Sequence, residues 1–156
     1  MSVPYLTMTD MAHHPWHYIR DKHPDVTVEF TDSCGQDGCL GRSHGKTIEI
    51  DRTSNQRERR GTLTHETHHH ERGPVPQDPY LAAKEERTVQ LLTAQTLITI
   101  DDLIDALVWN RFRVDDGTAT DLWIDFDILL TRVQNLTDDE RAHIDTELRR
   151  RSPWTN

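Results

Sequence analysis

His65-Glu66-Thr67-His68-His69 gathers residue types that can hold a metal ion and move a proton. The two outer histidines are four positions apart, one helical turn, so both imidazoles project from one face and can reach a single cation. Glu66, one position on, projects toward the side where an open coordination position would face a substrate. Two imidazole ligands, a neighbouring general base and an open position are the arrangement of zinc hydrolases.

Such a site needs a third protein ligand. One solution continues the motif helix through a glycine bend to a third histidine, but Arg72 stands where that glycine would be and Val75 where that histidine would be. The other takes a glutamate from a following helix, and Glu85-Glu86 supply it. Counting from Glu86, Val89, Thr93 and Leu97, with Ala94 beside them, form an apolar or small stripe that would face inward. From Glu85 the same count gives Thr88, Leu92 and Thr96, which is less uniform. The phase favours Glu86, with Glu85 as the alternative. Two histidines and one glutamate make Zn2+, one per chain, the default ion. In peptide hydrolysis Glu66 would take a proton from water and return it to the leaving amine. Tyr80, His68 and His70 are the candidates for stabilising the transition state, and helical phase does not choose among them.

The elements that must position these groups are legible in outline. Met11, Trp16 and Ile19 have helical spacing over about Thr9 to Lys22, with Pro15 as a possible kink. Val26 to Phe30 and Lys46 to Asp51 alternate as half-buried strands do, and Cys39 to Arg42 offers a short strand between them, so a small antiparallel sheet is expected. Thr53-Ser54-Asn55-Gln56 has the form of a capping box for a helix running to Arg72, stopped by Gly73-Pro74. Gly61 within it would permit close packing. Asp78-Pro79 opens the next helix, through Leu97. Further helices are expected from Thr99 to Arg111, Ala119 to Trp123, Asp127 to Gln134, and from a capping box at Thr137 to Arg149-Arg150-Arg151, with a polar turn at Asp115 to Thr118. Trp109, Trp123 and Trp154 are expected to pack in the core or cap.

The chain has 156 residues, 34% hydrophobic and 29% charged, with a formal net charge of -9. That size suits one compact catalytic unit with a small appendage. The acidic balance argues against direct nucleic-acid binding, which favours a basic face. No apolar run approaches membrane-spanning length and the start lacks a signal-peptide pattern, so a cytoplasmic location is expected, in a bacterial cell or phage-infected host. Cys34 and Cys39 read as small residues of a glycine-rich turn.

The strands, Thr62-Leu63-Thr64-His65-Glu66 continuing to Arg72-Gly73, the proline loop, and then Glu85-Glu86-Arg87 with Val89, Leu92, Ala94, Leu97 and Ile98, together resemble the ImmA/IrrE-type metallopeptidases of prokaryotes and phages. The resemblance spans about Val26 to Ile98. It continues weakly in Leu122-Trp123-Ile124 and Leu129-Leu130-Thr131-Arg132-Val133, similar to that family's helix-turn-helix-like tail. It departs at Val89-Gln90, where many members carry Ala-Asn. It implies a gluzincin-like site with His65, His69 and Glu86 as ligands and Glu66 as base. It also implies an α+β fold, with a mostly helical zincin-like core over residues 1–98 and a helical cap over 99–156. The substrate it implies is a protein, a helix-turn-helix repressor of a phage or mobile element. The alternative is a DNA-binding or partner-binding regulator whose metal is structural or sensory. Against DNA binding, the candidate recognition segment Asp125 to Arg132 has two aspartates and one arginine, the reverse of what phosphates require.

Overall fold

The computed structural model describes residues 12–32 and 38–152. The elements run α1 (Pro15–Lys22), β1 (Thr27–Thr31), β2 (Gly41–His44), β3 (Thr47–Asp51), α2 (Gln56–Arg72), α3 (Pro79–Leu97), α4 (Ile100–Trp109), α5 (Asp116–Asp121), α6 (Phe126–Gln134) and α7 (Asp138–Arg151). This is an α+β fold, mostly helical, with one small sheet among the described residues. Met11, Cys34 and Trp154 lie outside the described residues.

The sheet is mixed rather than antiparallel. Its order is β1-β3-β2, with β2 antiparallel to β3 and β1 parallel to it. The physical reason is burial: Ile48 and Ile50 of β3 are fully buried, so the most buried strand takes the centre and the more exposed β1 and β2 become edges. The tight turn at Gly45, with φ of +58°, folds β3 back against β2. β3 thereby runs in the direction of β1.

Helix α2 starts later than the pattern at Thr53 suggests. Asp51 captures the Thr53 amide and hydroxyl, each at 3.0 Å, and holds that residue in a turn. Asn55 is the N-cap, and its reciprocal bonds with Glu58 complete a capping box. Much of the helix is buried although its residues are polar. Thr64 and Thr67 return their hydroxyls to the carbonyls of Arg60 and Leu63, at 2.9 and 2.6 Å, so neither of these hydroxyls is buried without a partner. In α1, Pro15 is the first helical residue behind an N-cap at His14, where a fixed φ favours helix initiation. Asp115 caps α5 by accepting from Thr118, so the expected polar turn is the helix start.

Two apolar clusters hold these layers. Ile48, Ile50, Leu63 and Ile19 join the sheet to α1 and α2. The second runs from Leu97 and Ile98 through Leu103, Ile104, Ile124 and Leu129 to Ile144. Arg132, 3% exposed, donates to the Ile98 carbonyl and makes a two-pronged pair with Glu140, at 3.2 and 2.7 Å. The one arginine of the supposed recognition segment is therefore enclosed in the helical cap and faces no solvent. Gly61 lies where an added Cβ would be 2.7 Å from Ile128 Cδ1, so its absence of a side chain lets α2 and α6 approach. Two tryptophans depart from the packing expected of them: Trp109 is 81% exposed and Trp123 58%. Trp123 has φ of +59° and leaves its carbonyl to Arg60, which turns the indole outward.

Candidate metal centre

Helices α2 and α3 pack antiparallel, as the pairs Arg72–Glu85, His69–Glu86 and His68–Thr96 show. The stripe Val89, Thr93, Ala94 and Leu97 is buried. That phase turns Glu86 toward the motif helix. His65 Nε2 lies 3.1 Å from Glu86 Oε1, His69 Nε2 lies 3.0 Å from Glu86 Oε2, and the two imidazole nitrogens are 3.2 Å apart. Donor atoms of these three residues, all within 4.8 Å of one another, form the one such cluster among the described residues.

Hydrogen bonding alone does not account for this triangle. An imidazole Nε2 has a single in-plane position, occupied by a proton or a lone pair. His69 Nε2 nevertheless faces both Glu86 and His65. A cation between them would engage both lone pairs and the carboxylate at once. Tetrahedral zinc with bonds of about 2.0–2.1 Å needs donors about 3.3 Å apart, close to the spacings found. The donor set fits a divalent transition metal. Hydrogen bonds from His65 and then His69 hold the Glu86 carboxyl well below the usual range. The bond to Glu86 raises His69. His69 Nδ1 is buried without a hydrogen-bond partner among the described residues.

Glu66 is 7% exposed. Burial raises its carboxyl pKa, opposed by His65, His69 and a backbone hydrogen bond from Ser43. It lines the same cleft as the triad, a cavity of about 1350 Å³ between β2 on one side and α6 on the other. A buried carboxylate with raised proton affinity beside a cluster that could hold a cation is suited to accepting and returning a proton.

The remaining candidates separate. Glu85 turns away from the histidines and is taken by Arg72. Tyr80 is 72% exposed and does not line the cleft. His68 binds Thr96 Oγ1 at 3.0 Å, with its pKa lowered by burial, and is also absent from the cleft wall. His70 does line the cleft, but its Nδ1–H donates to the Gly45 carbonyl at 3.2 Å. Its neutral form therefore has no proton at Nε2.

Three features escape sequence reasoning. Ser43 contributes through its backbone, which no side-chain pattern reveals. Gln90 donates to Glu86 Oε1 at 3.4 Å, and its position one turn beyond Glu86 is a signal that could have found it. Asp125, Asp127, Ile128 and Leu130 of α6 or its cap form the opposite wall of the cleft. No helix among the described residues is long and apolar enough to cross a membrane. No family model, characterised protein or solved structure matches the chain.

Proposed function

We propose that this chain is a zinc-dependent metallo-endopeptidase of the ImmA/IrrE type, hydrolysing peptide bonds in a protein substrate. The convergence of His65, His69 and Glu86 beside the buried Glu66 is the observation that carries this reading. The substrate implied by the family resemblance is a helix-turn-helix repressor of a phage or mobile element.

His65 and His69 would hold the ion through Nε2 and Glu86 through its carboxylate, with Gln90 steadying Oε1. Zinc, when bound, supplies Lewis acidity, lowering the pKa of water and polarising the scissile carbonyl. Glu66 accepts the proton of the attacking water on its carboxylate and returns it to the leaving amine. Among the described residues β2 pairs with β3 on one side only, and its residues line the cleft. An extended peptide can add to such an edge through main-chain hydrogen bonds. Leu40, Val75, Ile128 and Leu130 offer it apolar contacts.

The test is incubation of the zinc-loaded protein with a mixed-sequence peptide library and with helix-turn-helix repressors, read by mass spectrometry. Cleavage that is lost on chelation and in Glu66→Gln is expected. One equivalent of bound zinc with no cleavage of either set would leave a sensory or structural metal site instead. The burial of Arg132 weighs against the DNA-binding alternative.

A further inference from the structure

Glu86 sits on a part of α3 that has little apolar anchorage. The buried residues of this helix are Val89, Thr93, Ala94 and Leu97, all beyond Glu86, and nothing from Pro79 to Thr88 is buried. A helix end without buried apolar contacts opens locally at low cost. The loop before it, residues 73–78, contains Pro74 and Pro76 and packs no element of its own. Yet Glu86 must meet two imidazoles on α2 to within a fraction of an ångström.

Besides the contacts of Glu86 with the two histidines, one further polar contact among the described residues bridges the two helices at this end. Arg72, three residues after His69, extends Nε to Glu85 Oε1 and Nη2 to Glu85 Oε2, the latter at 2.9 Å. Arg72 is exposed and Glu85 is half-buried, 38% and 19% of their side chains being accessible. A two-pronged guanidinium–carboxylate pair fixes orientation as well as distance. Its carboxylate belongs to the residue directly before Glu86.

We propose that Arg72 and Glu85 are positioning residues, a clamp that holds Glu86 in its ligand position against His65 and His69. The inference rests on the metal-binding reading of those three residues. It differs from a simple charge effect in sign. Removing a positive charge near a cation site strengthens cation binding by Coulomb's law, whereas loosening a ligand weakens it.

The experiment is competition for Zn2+ against a chromogenic chelator, using the full chain and its Arg72→Gln and Arg72→Lys variants, with folding checked by circular dichroism. Zinc affinity should fall about two- to five-fold in Arg72→Gln, because Arg72 is exposed and pairs with the neighbour of a ligand, not with a ligand itself. Arg72→Lys, which keeps the charge but not the fork, should recover part of that loss. Unchanged or tighter binding by Arg72→Gln overturns the clamp. A wild-type chain that takes up no zinc is a different failure: it removes the metal-binding reading, and the clamp with it.

Discussion

Gly41 and Thr62 meet so closely that a Cβ at Gly41 would lie 2.3 Å from Thr62 Cγ2, with Glu66 Cγ at 3.3 Å. The edge strand β2 thus lies directly on the motif helix, and this contact brings the Ser43 amide to the Glu66 carboxylate. Gly41→Ala should push β2 off α2, costing about 1–3 kcal/mol, the range for overpacking. Thr62→Ser removes the colliding methyl, so the double variant should regain part of the loss. Urea unfolding of the single and double variants measures this. A Gly41→Ala protein as stable as the wild type would contradict the contact.

Glu66→Gln removes the proposed proton acceptor while leaving all three candidate ligands in place. Hydrolysis should fall by about 10²–10⁴-fold, the usual contribution of a general base. Zinc stoichiometry should stay at the wild-type value. Parallel assays of turnover and metal content separate the two effects, and loss of both together would argue for a structural role of Glu66.

Zinc should stabilise the folded chain, because the three donors converge only when α2 and α3 are packed. By mass action, free zinc at about 100 times its dissociation constant adds about 2.7 kcal/mol. Thermal melts with and without zinc should show an upward shift in the wild type. His65→Ala, His69→Ala and Glu86→Ala should each abolish it. A shift that survives in all three would place the metal elsewhere.

The Arg132–Glu140 pair gives the fold an acid limit. Hydrogen bonding to Arg132 pulls the Glu140 carboxyl from its ordinary 4.5 to about 2. A depressed carboxyl stabilises the folded state when ionised. Its contribution is therefore complete above about pH 4.5 and is lost as pH falls toward 2. Glu140→Gln leaves the buried guanidinium without a counter-charge and should cost about 2 kcal/mol near neutrality, below the full buried-pair value because Glu140 is partly exposed. Denaturant titrations of both proteins should converge at the acid end of that window. A gap independent of pH would show that Glu140 acts without its charge.

Much of this protein was legible in its residues because the deciding interactions are local. The four-residue spacing of His65 and His69 determines a shared helix face, and the Val89, Thr93, Leu97 stripe determines which glutamate of the pair turns inward. Pro79 and the Gly73-Pro74 break mark where the two helices begin and end. Other features depended on contacts between segments far apart in sequence. The parallel pairing of β1 with β3 follows from competition for the central place in the sheet, which no strand specifies alone. Arg132 looks like a surface arginine until Ile98 and Glu140 enclose it, and the exposure of Trp109 and Trp123 depends on which helix faces the cap leaves uncovered. Periodicity states which side chains share a face; only the packed chain decides what that face meets.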